Sequence, residues 1–108
     1  MPDFQDRGGR SVQKTLQLCA QVKDALSFAL GETSDPLLLD LRVEFVEAIG
    51  GDRHLLVGFV DPCHHGLVAA LEALDHARGF LRSVVAAEIH RGKAPQLSFT
   101  IVPEGGGE

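Results

Sequence analysis

Two different spacings of apolar residues along the chain predict its secondary structure. Between Ser11 and Gly31, apolar residues recur every three or four positions, which is typical of one buried stripe on an α-helix. The members of this stripe are Leu18, Val22, Ala25, Leu26 and Ala29. From Leu39 to Phe45, apolar and charged residues alternate, as expected for a strand with one buried face. We therefore expect a helix and then a strand, separated by the turn that ends at Pro36.

The second half of the chain predicts another strand, a broken helix and a third strand. Residues 54–60 are mostly apolar and follow a glycine-rich turn, which favours an antiparallel hairpin with the first strand. Asp61 and Pro62 are good first residues of a helix. Helical spacing then continues, with a break or kink expected at Gly79. Residues 96–101 alternate again and predict the third strand.

This order of elements, α-β-β-α-α-β, predicts the fold. A sheet with one apolar face needs a helical layer on that face. The helix pair between the last two strands is long enough for a right-handed parallel crossover. We expect a two-layer α+β domain over residues 11–102, in which helices cover one face of a three-stranded mixed sheet. Residues 1–10 and 103–108 are expected to be flexible tails.

Charge is segregated along the chain. The net charge is −5, and residues 31–75 carry two basic and nine acidic groups, which argues against a generic nucleic-acid binder. Residues 76–93 reverse this balance with one acidic and four basic groups: Arg78, Arg82, Arg91 and Lys93. Arg78 and Arg82 are four residues apart and share one helix face. From charge alone, this face is either a solvated surface or a phosphate-binding one.

A second basic cluster lies near the N-terminus and consists of Arg7, Arg10 and Lys14. It is either an arm that becomes ordered on RNA or part of a solubilising tail, and the sequence leaves both interpretations open. We include Arg10 and Lys14 with the four basic groups of residues 76–93 as candidate RNA-binding residues.

The sequence predicts no metal site and no cofactor. Cys63, His64 and His65 lie together, and His54 or His76 could complete a ligand set. Structural zinc sites usually show paired ligand motifs with tight spacing, which this chain lacks. We therefore expect residues 63–65 to form an exposed first helical turn.

Enzyme and membrane roles find little support. Cys19 has no His or Asp partner at a catalytic spacing, there is no glycine-rich phosphate loop, and Asp40, Glu44 and Glu47 fit a solubilising strand face. Both cysteines are expected to be reduced thiols.

No long apolar run is present, and the start of the chain resembles neither a signal peptide nor an anchor. We expect a cytoplasmic protein without a small-molecule substrate.

Four phenylalanines lie on apolar faces of the predicted elements: Phe45, Phe59, Phe80 and Phe99. They are either stacking platforms for bases or core residues. Their in-register positions favour the core.

Three stretches together resemble the ribosome-binding factor A family. Residues 74–82, Leu-Asp-His-Ala-Arg-Gly-Phe-Leu-Arg, resemble its second helix, in which an Ala-x-Gly kink at Ala77 and Gly79 replaces the usual KH loop. Residues 93–99 resemble its closing strand, and residues 34–37 resemble its entry into the first strand. The resemblance covers nearly the whole chain.

This resemblance implies a KH-like type II RNA-binding domain that acts in ribosome assembly and is not an enzyme. It implies that the protein, expected to be a monomer, binds the small ribosomal subunit and its RNA during late maturation of that RNA, especially in the cold. Ala77-Arg78-Gly79 replaces the Gly-x-x-Gly loop on which typical KH domains hold single strands, so that mode of binding is not expected. The alternative is a protein-interaction module whose acidic middle, residues 32–75, contacts a basic ribosomal protein.

Overall fold

The computed structural model of the protein describes residues 2–51, 53–89 and 94–103 and, within these ranges, the side chains from residue 13 onward. The elements in chain order are α1 (Pro2–Glu32), α2 (Pro36–Leu39), β1 (Arg42–Ala48), β2 (His54–Val60), α3 (Leu67–His76), α4 (Arg78–Ile89) and β3 (Gln96–Ile101). The predicted order is confirmed, with α2 as an addition and with α1 beginning before Ser11. Within these ranges, no helix is both long and apolar enough to cross a lipid bilayer.

The strands form one sheet in the order β1-β2-β3. β1 runs antiparallel to β2, with Val46 opposite Val57, and β2 runs parallel to β3, with Val57 opposite Phe99. The predicted hairpin and mixed sheet are therefore confirmed. The α3–α4 pair provides the crossover between the two parallel strands, and β3 lies at one edge of the sheet.

One hydrophobic core lies between the sheet and the helices. The stripe predicted for α1 is buried, and Leu18, Val22 and Leu26 are at most 2 % exposed. Phe59 of β2 and Leu81 of α4 complete the same cluster. Burying one leucine side chain contributes about 2 kcal/mol, so this stripe holds α1 firmly against the sheet.

The segment before β1 differs from the prediction. Leu39 was expected to begin the strand, but it ends α2. Asp35 accepts a hydrogen bond from the Leu37 N–H at 2.9 Å, and Pro36 occupies the start of the helix. An aspartate cap followed by proline is a helix-start signal, and here it overrides the alternation of apolar residues.

A β-bulge moves Phe45 to the other face of the sheet. Val43 lies opposite Phe59 but Phe45 lies opposite Gly58, so Glu44 is the extra residue of β1. The Phe45 ring covers Gly58 on the face away from the helices, and a methyl group added at Gly58 would overlap that ring. The expectation of Phe45 in the main core is therefore wrong.

Asp61 and Pro62 do not begin α3, which starts at Leu67 after a loop of residues 61–66. The Asp61 carbonyl accepts a hydrogen bond from the His64 N–H, and the Asp61 side-chain Oδ2 accepts one from the Gly66 N–H, both at 3.0 Å. The prediction of a helix from Pro62 is wrong because His64 has a φ of 55° and Gly66 a φ of 107°, which are not helical.

The Asp61 carboxylate is the organising group of this loop. Burial alone would raise the pKa of the Asp61 carboxyl, but hydrogen bonds from the backbone N–H groups of His65 and Gly66, with the nearby rings of His65 and His64, hold it below its ordinary value. The ionised form, which accepts these hydrogen bonds, is therefore the form present at neutral pH.

Candidate nucleic-acid interface

The junction between α3 and α4 positions the two central arginines. α3 ends at His76 and α4 begins at Arg78, and Ala77 between them has φ −91° and ψ 3°. The break therefore falls at Ala77. Gly79 lies inside α4, with open space where a Cβ atom would stand. The first turn of α4 carries Arg78, and the next carries Arg82.

Contacts within the molecule anchor Arg78 to the edge of the sheet. Its Nη1 donates a hydrogen bond to the Leu97 carbonyl at 3.0 Å, and its guanidinium lies 4.9 Å from the centroid of the Phe99 ring. Its Nε lies 3.5 Å from the Asp75 carboxylate, and the side chain remains 43 % exposed. A guanidinium has five N–H donors, so Arg78 keeps donors that can reach a ligand.

Arg82 is the more available of the two arginines. Its side chain is exposed on α4. Among the residues with described side chains, none forms a hydrogen bond or an ion pair with it. Its positive charge is therefore not neutralised within this part of the molecule.

An open pocket of about 330 Å³ connects the two arginines with the end of the sheet. Its lining residues are His54, Arg78, Arg82, Gln96, Leu97 and Ser98. The His54 Nε2 and the Ser98 Oγ share a hydrogen bond at 2.6 Å across β2 and β3. Guanidinium, amide and hydroxyl groups are the donors that proteins use to hold phosphate oxygens.

Sequence reasoning found the arginines of this pocket but missed His54, Gln96 and Ser98. These three lie on the solvent face of their strands, which the alternation of β3 indicates for Gln96 and Ser98 but the mostly apolar sequence of β2 does not indicate for His54. Their closeness to Arg78 depends on the parallel pairing of β2 with β3.

The other predicted RNA-binding residues contribute less to this site. Lys14 is exposed on α1 and does not line the pocket. The side chain of Arg10 and the whole of Arg91 and Lys93 lie outside the described residues. The described part of the candidate interface is therefore the pocket beside Arg78 and Arg82.

The remaining phenylalanines divide between the core and the surface. Phe59 is fully buried and Phe99 half-buried, and their rings meet edge to face with centroids 5.5 Å apart. Phe80 is 41 % exposed, so the expectation of a core position is wrong for this residue. It lines a groove of about 560 Å³ that also contains Glu32 and Asp35.

Solved structures resemble this chain over most of its length, whereas no family model and no curated protein sequence matches it. The crystal structure of ribosome-binding factor A from Thermus thermophilus superimposes with a TM-score of 0.71 at 28 % identity, covering 87 % of this chain and 99 % of that one. A homology model of Thermus thermophilus ribosome-binding factor A has been fitted into a cryo-EM map of its 30S complex. It superimposes with a TM-score of 0.62 at 30 % identity, covering 78 % of this chain and 88 % of that one.

Proposed function

This chain belongs to the ribosome-binding factor A family, and on that premise we propose that it binds the small ribosomal subunit and its RNA during late maturation of that RNA. The cryo-EM complex of a relative with the 30S subunit supports this partner. The role proposed for this KH-like domain is binding without catalysis, in the cytoplasm, with its greatest importance during growth in the cold.

The observation that carries the proposal is the exposed Arg82 guanidinium beside the pocket. A phosphate group in the pocket would accept hydrogen bonds from Arg82 and from the donors that Arg78 keeps. Ser98 and Gln96 add neutral polar groups at the end of the sheet. Contacts of this kind fix the position of a protein on RNA without reading its sequence.

The two arginines have different parts in this binding. Arg78 is held by Leu97, Phe99 and Asp75, so its guanidinium loses little conformational freedom when a ligand arrives. Arg82 is exposed and supplies a charge that is unpaired among the described residues. We therefore expect Arg82 to account for more of the salt dependence, and Arg78 for more of the orientation.

The first test measures the affinity for small-subunit ribosomal RNA at several salt concentrations. Arg82→Ala should weaken binding by about 1.5 kcal/mol, or roughly tenfold, because one charge-assisted contact is lost. The slope of log affinity against log salt should fall by about 1. Arg78→Lys keeps the charge but loses the planar fork, so it should lower the affinity while largely preserving the slope.

The matched control is Lys23→Ala, which removes one exposed positive charge from α1. It should leave the affinity and the salt slope close to those of the original protein. If Arg82→Ala behaves like Lys23→Ala in both measurements, the pocket is not the phosphate site.

A second candidate function has one observation in its favour. The groove between the end of α1 and the α3–α4 junction places Glu32 and Asp35 near the exposed ring of Phe80. Carboxylates beside an aromatic face suit a lysine or arginine side chain. This groove supports the alternative in which the domain contacts a basic ribosomal protein.

A further inference from the structure

The structure brings together three potential metal ligands that are distant in sequence. Asp40, Cys63 and His65 each offer a ligand atom, and the three atoms lie within 4.8 Å of one another. All three residues are exposed. His54 is instead bonded to Ser98, so the ligand set differs from the one that the sequence suggested.

Backbone contacts hold Asp40 and Cys63 in place. Asp40 caps α2, where its N–H bonds to the Leu37 carbonyl at 3.0 Å. Cys63 lies in the turn closed by the hydrogen bond from the His64 N–H to the Asp61 carbonyl. The ligand positions are therefore set by a helix end and a closed turn, and much of the ordering needed for binding has already occurred.

The distances suit a small tetrahedral ion. The His65 Nε2 lies 3.0 Å from the Asp40 Oδ2, and two ligands at 2.0–2.1 Å from a tetrahedral zinc ion stand roughly 3.3 Å apart. A thiolate at 2.3 Å from the ion should lie roughly 3.5 Å from its neighbours. The Cys63 sulfur therefore has to move by little more than about 1 Å, which one exposed side chain can do.

The donor set selects the class of metal. Thiolate and imidazole are ligands for zinc and similar transition metals, whereas calcium takes six to eight oxygen ligands and magnesium an octahedron that keeps several waters. Three protein ligands leave one tetrahedral position for water. An exposed His–Asp pair adds little stability of its own.

We propose that Asp40, Cys63 and His65 form a binding site for a divalent transition-metal ion, with zinc as the best fit. On binding, the ion displaces the proton shared by His65 and Asp40 and the thiol proton of Cys63, both of which pass to solvent, and it takes the Cys63 thiolate as a third ligand. It thereby links the end of α2 to the loop before α3, two parts of the chain that are separated by β1 and β2.

The experiment uses the full chain purified without a histidine tag and kept reduced with a non-chelating phosphine. Cobalt is added first, because a thiolate ligand gives a charge-transfer absorption and a tetrahedral site gives strong visible bands. Zinc is then titrated to displace the cobalt. We expect equimolar binding, and we expect zinc to raise the thermal midpoint of unfolding.

Substitutions identify the ligands. Cys63→Ser should abolish the charge-transfer absorption, and His65→Ala and Asp40→Asn should each weaken zinc binding about tenfold or more. The controls are His64→Ala, which removes the neighbouring exposed ring, and Cys19→Ser, which removes the buried thiol. Both should retain the spectrum and the affinity. Circular dichroism confirms that each variant is folded before it is titrated.

Three results would overturn the proposal. The first is the absence of a cobalt spectrum in the original protein at millimolar metal. The second is a loss of zinc affinity in His64→Ala that equals the loss in His65→Ala. The third is unchanged zinc affinity and an unchanged zinc-dependent rise of the thermal midpoint in Cys63→Ser.

Discussion

At the scale of single residues, Arg78 and Arg82 show that equal charge does not mean an equal role. Arg78 contacts Leu97, Phe99 and Asp75, so truncating it removes packing as well as charge. Arg82 has no such contacts among the described side chains. A loss of RNA affinity in an Arg82 variant is therefore simpler to interpret than the same loss in an Arg78 variant.

The two cysteines should differ sharply in reactivity. Burial, followed by the nearby Glu47 carboxylate, raises the pKa of the Cys19 thiol above its ordinary value of 9.0. Cys63 is exposed. Because the thiolate is the reactive form, iodoacetamide at pH 8 should modify Cys63 and spare Cys19 in the folded protein. Peptide mass spectrometry measures both sites.

The control for this labelling is Cys63→Ser, which should take up almost no label until denaturant is added. At pH 9.0, Cys19 should remain largely protonated because its pKa is raised, so it should still take up little label. Equal labelling rates for both thiols in the folded protein would contradict the expected difference in reactivity between Cys63 and Cys19.

At the scale of elements, α1 was easier to predict than the first strand. The stripe of α1 repeats over several turns, and Leu18, Val22 and Leu26 are all in the core as expected. The strand pattern is short, and one bulge at Glu44 reverses the faces of everything on one side of it. A bulge carries little sequence signal, so the position of Phe45 could not be read from alternation alone.

The glycine in α4 provides a test of what breaks the helix. Gly79 is helical, and an added methyl group meets no atom within 4 Å. Gly79→Ala should therefore stabilise the fold by about 0.5–1 kcal/mol, since alanine favours helices. Thermal unfolding should shift upward by roughly 4 °C, while the break at Ala77 remains.

Gly58→Ala is the contrasting variant for this measurement. There the methyl group would overlap the Phe45 ring. The free energy of unfolding should therefore fall by about 1–3 kcal/mol, and the thermal midpoint should fall with it. A lowered midpoint for Gly79→Ala would mean that the α3–α4 junction needs a flexible residue at that position.

At the scale of the whole molecule, element order was enough to predict the architecture. A helix pair between two strands of one sheet favours a parallel crossover, and β2 and β3 are parallel as expected. The contacts between distant residues were not predictable. Folding brings His54 to Ser98 and Asp40 to His65. The spacing of these residues in the sequence follows no motif.

The segregated charge of the molecule leads to a test that separates the two candidate functions. If the basic pocket provides the binding, the protein should bind ribosomal RNA stripped of protein, and Arg82→Ala should weaken that binding. If the acidic groove provides it, only intact subunits should retain the protein, and Glu32→Gln should weaken the association. Co-sedimentation measures both, with Lys23→Ala as the shared control.

Arg78 also covers part of the outer edge of β3. The N–H groups of Gln96 and Val102 bond to the chain of β2 and its flanking residues, so the backbone of Leu97 faces outward. An unpaired edge invites another chain to add a strand and begin aggregation. By occupying the Leu97 carbonyl and placing a positive charge beside it, Arg78 makes that edge a poorer template for the addition of another strand.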